Sequence, residues 1–211
     1  MGRFRTLALC LALTVSLGIV FSGHALANLR DIDVVLQKLR AQATSVETIS
    51  SEFSQESHLS VFEETIISSG RFFFRQPDKL RWEYLSPISE GFALDGDQGI
   101  RWNETTRASF SLRNDPLMNV VASQLLAWAT FDLVWLSAEY DITLEADSPV
   151  LLKLVPKDPD TSLVLKHLLI EFSVSSNTVR RVELHNQSGD LTRILFENSL
   201  VNTPLDSGMF R

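Results

Sequence analysis

Cysteine is nearly absent from this chain. Among the 211 residues the one cysteine is Cys10, in an apolar stretch near the N-terminus. It follows Leu9, where a lipid-anchoring signal needs a small residue, so we do not interpret Cys10 as an acylation site. Without that stretch the chain has no cysteine, which excludes disulfides, cysteine metal sites and thiol catalysis. The folded domain must then be held together by its core.

Excess basic charge and long apolar runs are also missing. Nineteen Lys and Arg stand against 26 Asp and Glu, a net charge of −7. An acidic chain argues against nucleic acids or anionic lipid surfaces as partners. After residue 28 no apolar run is long enough to span a bilayer.

The first 27 residues predict a cleaved export signal. Arg3 and Arg5 form a basic start, residues 7–21 are apolar, and Ala25-Leu26-Ala27 is a small-x-small cleavage site. Cleavage near Ala27 would leave one domain, residues 28–211, with a net charge of −9 because two arginines and no acids are lost. Export without a retention signal predicts the periplasm, on the condition that the cell has two membranes.

Sequence motifs for catalysis and metal binding are absent too. His58, His167 and His185 have no metal-ligand spacing, and there is no nucleophile elbow, P-loop or dinucleotide fingerprint. Residues 95–99 resemble the start of a calcium loop but lack its third acid and its distal glutamate, so we interpret them as a turn. We expect no metal, no cofactor and no catalytic residue.

The strongest positive pattern covers residues 70–87. It reads as two strands joined at Gln76-Pro77-Asp78, with apolar side chains alternating with charged ones. The apolar face carries five large side chains: Phe72, Phe74, Leu80, Trp82 and Tyr84. Two interpretations stay open at this point, because such a face forms either an ordinary sheet core or the lining of an apolar cavity.

Alternation of period two predicts about ten strands, joined by short turns such as Asp95-Gly96. Another turn is predicted at residues 156–160, with the next strand beginning at Leu163, and the chain is irregular from Pro204 onward. Helical spacing is confined to residues 29–44 and to an insert that begins after Asp115-Pro116, with a second short helix at 131–136. The insert is apolar on more than one side, so it is either a core helix or a helix between the sheet and an apolar ligand. This order predicts a large curved antiparallel sheet with helices on one face.

Several motifs, in this order, resemble the LolA family of periplasmic carriers of outer-membrane lipoproteins. The motifs are Phe53-Ser54-Gln55, residues 70–77, Trp82, Pro87, Asp95-Gly96, Asp115-Pro116, Val155-Pro156-Lys157 and the final strands to Phe196. The resemblance covers nearly the whole mature chain. It implies an incomplete antiparallel β-barrel of about 10–11 strands, closed by a lid of α-helices over an apolar cavity.

The resemblance also implies a function and partners. Family members accept lipidated proteins from an ATP-driven complex of the inner membrane, shield their acyl chains and pass them to an outer-membrane receptor. That receptor is itself a lipoprotein. Because this chain lacks a lipoprotein signal, it resembles the soluble carrier and not the receptor. We expect the carrier to be a monomer. The implied binding residues are Phe53, Phe72, Phe74, Leu80, Trp82, Tyr84, Trp102, Phe110 and Leu112 in the cavity, with Val120, Val121, Leu125 and Trp128 on the lid.

The resemblance also makes specific predictions for Gln76 and Leu80. The family often has an arginine where this chain has Gln76, whose amide can still bond lid carbonyls but without charge assistance. We therefore expect a lid that is more weakly latched at Gln76, or a different latch. Leu80 lies where the family presents an apolar side chain to partners, and simple packing is the alternative there.

Other functions fit the same sequence. A carrier or sensor of free lipids or glycolipids would use the same fold and cavity. A periplasmic enzyme could use the cavity as an active site, and a structural module would have no cavity at all. A filled core under the helices would favour the last of these.

Overall fold

A computed structural model describes residues 24–61, 64–175 and 178–211, with side chains from residue 32 onward. Within these residues the chain forms one antiparallel sheet of eleven strands, four α-helices and a short 3₁₀ helix. The strands are β1 (Thr48–His58), β2 (Thr65–Arg75), β3 (Lys79–Ser86), β4 (Glu90–Asp95), β5 (Gln98–Trp102), β6 (Arg107–Ser111), β7 (Tyr140–Asp147), β8 (Val150–Pro156), β9 (Leu165–Phe172), β10 (Val179–Asn186) and β11 (Leu191–Val201). The helices are α1 (His24–Ala43), α2 (Pro116–Thr130), α3 (Leu133–Glu139) and α4 (Pro159–Val164), and the 3₁₀ helix is Ser207–Phe210.

The sheet is open. Its strand order is β6-β5-β4-β3-β2-β1-β11-β10-β9-β8-β7, so β6 and β7 are its two edges in the described part of the chain. Every pair of neighbours is antiparallel, and β1 pairs with β11 to join the two halves. This arrangement confirms the predicted incomplete barrel, which is a sheet that curves without closing.

Alternation along the strands gives the sheet an apolar inner face and a charged outer face. The inner face is the one that contains Phe72 and Trp82, which are opposite each other in the β2–β3 pairing. The outer face contains Arg71 and Glu83, the next opposed pair, joined by an ion pair of 3.1 Å. The predicted turn of residues 76–78 joins these two strands, as expected from the period-two pattern.

Local sequence explains where the middle helices start. The Asp115 side chain caps α2 by accepting the Met118 N–H at 3.1 Å, and Pro116 occupies the first turn. Asp132 caps α3 in the same way, accepting the Trp135 N–H at 3.0 Å. Because α2 and α3 connect the two edge strands β6 and β7, they have to cross the open side of the sheet. We call α2 and α3 the lid helices.

The N-terminal part of the described chain is the helix α1. The predicted helix at 29–44 is confirmed as α1, which packs through Leu36 and Leu39 into the core and contacts α2 and β7. The predicted export signal lies mostly outside the described residues, and α1 begins at His24, ahead of the predicted cleavage site near Ala27.

The turn predicted at residues 156–160 is partly wrong. The Asp158 carboxylate accepts the Thr161 N–H at 2.7 Å, and Pro159 follows it, so a helix forms there. α4 extends to Val164, where the sequence pattern predicted that a strand had already begun. The missed signal is the Asp-Pro cap, which matches the one that starts α2.

The C-terminal residues, which the sequence pattern left irregular, pack on the outer face. Arg81 donates from Nη1 to the Met209 carbonyl at 3.0 Å, and Arg75 donates to the Leu205 carbonyl. The Phe210 side chain is 1% exposed, and the guanidinium carbon of Arg75 lies 5.4 Å from its ring centre. The tail is therefore an integral part of the fold.

Candidate functional site: an apolar cavity under the lid

A cavity of about 700 Å³ lies between α2 and the inner face of the sheet. Its volume is within the range of about 300–1,000 Å³ that is usual for ligand sites. The lining comes from seven strands, from the loop between β5 and β6, and from α2. Its residues are Gln55, Trp82, Tyr84, Glu90, Gly91, Phe92, Arg101, Trp102, Asn103, Thr106, Ala108, Met118, Val120, Val121, Gln124, Leu125, Trp128, Leu184, Thr192 and Ile194. Most of the exposed lining atoms are apolar, so the cavity suits an apolar ligand.

The four lid residues predicted to bind ligand all line this cavity. Leu125 and Trp128 are buried, whereas Val120 is 66% exposed, so the lining extends from the interior to the surface along one helix. α2 therefore has apolar residues both on the side that faces the sheet and at the mouth of the cavity. This explains why its sequence is apolar on more than one side.

The predicted aromatic residues divide into two groups. Trp82, Tyr84 and Trp102 line the cavity. The remaining six predicted lining residues instead belong to the core beneath and beside it: Phe53, Phe72, Phe74, Leu80, Phe110 and Leu112. The two interpretations of the apolar face are therefore both correct, each for part of it.

Ring contacts explain this division. Phe53 stacks on Trp82 with 4.2 Å between ring centres, and Phe72 and Phe196 lie at 5.9 and 6.0 Å from the same indole. Trp82 thus forms the boundary, with other rings against it and the cavity beside it. Phe72 also borders a second, much smaller cavity of about 20 Å³ below Leu125 and Trp128.

Leu80 lies in the core, whereas Trp102 reaches the cavity although its register places it on the outer face. Leu80 is completely buried and pairs across from Phe74, which agrees with simple packing at this position. Trp102 lies opposite Gly91, and its ring lies 4.4 Å from the guanidinium carbon of Arg81. It also borders the cavity.

Gln76 is also placed differently from the prediction. It is exposed in the turn between β2 and β3, and its backbone N–H donates to the Glu47 carbonyl at 2.8 Å. Within residues 24–61, 64–175 and 178–211 no hydrogen bond joins its amide side chain to a lid helix. The structure therefore provides no latch at Gln76 in this arrangement of the lid.

Two other polar contacts join the lid to the sheet. Arg101, on β5, forms an ion pair with Asp115 at the start of α2, with 3.1 Å between Nη1 and Oδ2. Tyr140, the first residue of β7, donates from its hydroxyl to Oε1 of Gln124 at 2.8 Å. Burial raises the pKa of Tyr140, so this hydroxyl keeps its proton and remains a donor at neutral pH.

Other polar groups of the lining lie in a hydrogen bond or at the rim. Tyr84 donates to Oε1 of Gln55 at 2.9 Å, and burial raises the pKa of this tyrosine as well. Glu90 and Arg101 are the charged groups of the lining, both exposed at its rim. Such a site can bind and shield an apolar molecule.

Several lining residues come from parts of the chain where no binding residue was predicted. Leu184, Thr192 and Ile194 reach the cavity because β10 and β11 return beside β1, more than a hundred residues after Trp82. Alternation in these last strands was recognised, but not which of their faces meets α2. Gln124 and Met118 could have been found from their spacing with Val121, since residues three or four apart share one helix face.

The described residues contain no group of three or more side chains that could hold a metal ion. The acids of the residue 95–99 turn are paired with cations: Asp95 with Lys79 at 2.7 Å, and Asp97 with Arg113 at 3.1 Å. Of the helices in the described part of the chain, none is long and apolar enough to cross a bilayer.

An open antiparallel sheet with lid helices over an apolar cavity defines a class of proteins that bind apolar ligands, the lipid- and lipoprotein-binding carriers. Within that class, the chain belongs to the family described as outer membrane lipoprotein carrier protein LolA, whose model matches residues 44–211. This family is one of carrier and binding proteins. A curated relative, an outer-membrane lipoprotein carrier protein of Pseudoalteromonas translucida, is 21% identical over 180 residues, covering 82% of this chain and 80% of the relative.

Solved structures support the same fold. An uncharacterised conserved protein from Thermus thermophilus superposes with a TM-score of 0.53 at 9% identity, covering 85% of this chain and 92% of that one. A protein from the MucA/MucB complex of Pseudomonas aeruginosa superposes with a TM-score of 0.50 at 15% identity, covering 86% and 60%. At these identities the likeness concerns the fold.

Proposed function

We propose that this protein is a soluble periplasmic carrier that binds the acyl chains of lipoproteins in its cavity and moves them from the inner to the outer membrane. It would accept cargo from an ATP-driven complex of the inner membrane and deliver it to an outer-membrane lipoprotein receptor. The family supports the kind of cargo, and the sequence pattern of residues 1–27 supports export to the periplasm. The carrier would act as a monomer and would not be an enzyme.

The observation that carries this proposal is the apolar cavity of about 700 Å³ that extends from Trp128, in the interior, to Val120, at the surface. Burying an acyl chain contributes about 0.8 kcal/mol per CH₂, so a chain of about 14 methylenes contributes on the order of 11 kcal/mol before costs. An apolar lining suffices for this contribution, and no reactive group is needed.

Release follows from the position of the lid. Leu125 and Trp128 pack into the core in this arrangement and also line the cavity. A deeply bound chain therefore competes with α2 for the same surface of the sheet. That competition lowers the net affinity, which lets a carrier pass its cargo to a receptor.

A direct experiment uses a fluorescent diacylated lipopeptide and the same peptide without acyl chains. Purified protein, cleaved at the predicted site, is mixed with each and separated by gel filtration. We expect the lipopeptide to co-elute with the protein and the bare peptide to elute alone. Equal behaviour of the two peptides would overturn the proposal.

Two exposed residues of α2 provide a matched pair of variants. Val120 is 66% exposed and lines the cavity, whereas Leu117 is 72% exposed and does not. Val120→Glu should weaken lipopeptide binding at least fivefold, because a carboxylate at the mouth must be desolvated when the chain enters. Leu117→Glu adds the same charge to the same helix and should leave binding unchanged.

A carrier or sensor of free lipids or glycolipids on the same fold is the alternative. Native mass spectrometry of protein purified from a periplasmic extract distinguishes the two. A small bound mass that survives purification and blocks lipopeptide binding would favour the free lipid.

A further inference from the structure

Two donor nitrogens on α2 have no hydrogen-bond partner among the described residues. They are Nε2 of Gln124 and Nε1 of Trp128, and both are buried. Both side chains line the cavity, four residues apart on the same face of the helix. Since buried polar groups in native proteins are nearly always paired, each such donor calls for an explanation.

The orientation of the Gln124 amide supports its role as a donor. Its oxygen, Oε1, accepts the Tyr140 hydroxyl at 2.8 Å. Turning the amide around would leave both that hydroxyl hydrogen and Oε1 without partners, so the assigned orientation satisfies more groups. The Trp128 indole can only donate. The cavity therefore offers two donors and needs an acceptor.

We infer that these two donors recognise the carbonyl oxygen of an ester or amide linkage, by which an acyl chain is attached to its carrier molecule. A carbonyl oxygen has two lone pairs and can accept from both N–H groups. Gln124 and Trp128 then orient the chain, while Val121 and Leu125, which line the cavity beside them, contact its methylenes. This inference rests on the proposed function and specifies which part of the ligand is read.

Both nitrogens are covered in this arrangement of the lid, so a carbonyl reaches them when the entering chain moves α2 away from the sheet. This arrangement leaves two buried donors unpaired, and the loaded state pairs them. Acylated ligands thereby gain an advantage over a plain hydrocarbon of equal length, which can fill the cavity but cannot pair the donors.

Two lysolipids test this inference. The ester 1-palmitoyl lysophosphatidylcholine and the ether 1-O-hexadecyl lysophosphatidylcholine share chain length and head group, and differ in the linkage carbonyl. Each is titrated, below its micelle concentration, against a bound fluorescent acyl probe. We expect the wild-type protein to bind the ester roughly fivefold to tenfold more tightly than the ether, the effect of one or two hydrogen bonds.

Variants assign the preference to the two donors. Gln124→Met and Trp128→Phe should each reduce the ester preference to about twofold or less, and should leave the ether affinity nearly unchanged. Gln42→Met is the matched control. Gln42 Oε1 is also buried without a partner, but Gln42 lies on α1 outside the lining. This control should keep the full preference.

The outcomes separate this inference from the proposed function. Equal binding of ester and ether by the wild-type protein overturns the inference and leaves the carrier function standing. A preference that persists in both donor variants also overturns it. If neither lysolipid displaces the probe and the acylated lipopeptide is not retained either, both proposals fail. The wild-type comparison needs no variant, so a misfolded mutant does not obscure the answer.

Discussion

Arg101 Nη1 lies 3.1 Å from Asp115 Oδ2, and this ion pair joins strand β5 to the first turn of the lid helix α2. The other oxygen of the same carboxylate, Oδ1, accepts the Met118 N–H at 3.1 Å. Asp115 thus caps the helix and anchors its start to the sheet beside the mouth of the cavity. The contact joins the lid to the sheet at a position other than Gln76.

Replacing Arg101 with Gln is expected to loosen the start of α2 without removing its cap. Exposed ion pairs contribute about 0.2–1 kcal/mol, so amide exchange in the first turns of α2 should accelerate roughly twofold to fivefold. Hydrogen exchange with mass spectrometry measures this, and high salt should reduce the difference. Arg113→Gln is the control, because Arg113 pairs with Asp97 outside the lid. Equal acceleration in both variants would contradict the latch.

Replacing Phe210 with Ala should destabilise the fold without affecting the cavity. Its ring is 1% exposed on the outer face, and removing such a side chain typically costs about 3–5 kcal/mol. Urea unfolding should show the loss, while lipopeptide affinity measured well below the midpoint should stay within twofold. Met209→Ala, at the half-buried neighbour, should cost much less. A loss of binding in the folded Phe210 variant would show that the tail acts on the cavity.

Gly70→Ala should be strongly destabilising. A Cβ at this position would lie 2.0 Å from the Glu83 carbonyl oxygen and 2.6 Å from the Phe53 ring. Overpacking of this kind costs about 1–3 kcal/mol. The same substitution at Gly208, where the nearest atom is an Asp206 carboxylate oxygen at 3.3 Å, should have a smaller effect in urea unfolding. Equal midpoints for the two variants would refute the close packing of Phe53 over Gly70.

Acid should weaken the fold partly through Glu183 on the outer face. Burial alone would raise the pKa of this carboxyl, but hydrogen bonds from Arg193 and His185 and the charge of Arg181 outweigh burial and hold the pKa below its usual value. A carboxyl whose pKa is lowered by folding stabilises the protein above its unfolded pKa, near 4.3, and loses that contribution as the pH falls through its folded pKa.

Glu183→Gln should therefore make stability less dependent on pH. Unfolding midpoints in urea at pH 7 and pH 4 measure the dependence. We expect the variant to be less stable at pH 7 and to lose less on acidification than the wild-type protein. Glu104→Gln, in the exposed turn between β5 and β6, should keep the wild-type dependence. Identical slopes for Glu183→Gln and the wild-type protein would contradict the assigned role.

Much of the fold could be predicted because its signals are local. Alternation in residues 70–87 placed Phe72 and Trp82 on one face, and the register of β2 and β3 confirms that assignment. The Asp115-Pro116 cap marked the start of α2. The equivalent cap at Asp158-Pro159 was missed, because a following run of apolar and β-branched residues favoured a strand.

The site was predicted less completely. The apolar residues of α2 were predicted to lie on the lid, and in the structure they line the cavity, since helical spacing gives them a shared face. Phe53, Phe74 and Leu80 were expected in the lining and lie in the core. Alternation distinguishes an inner face from an outer one, but it does not distinguish a side chain packed against other rings from one that borders a space.

By itself, the sequence determined the alternating strands, the capped helix and the apolar inner face, because these depend on residues that are close together in the chain. The tertiary structure alone decided which inner residues meet the cavity, because Tyr84, Leu184 and Thr192 come together through the order of the strands. It also decided that Arg101 and Asp115 hold the lid, since that contact forms where α2 leaves the sheet edge and turns back across its inner face.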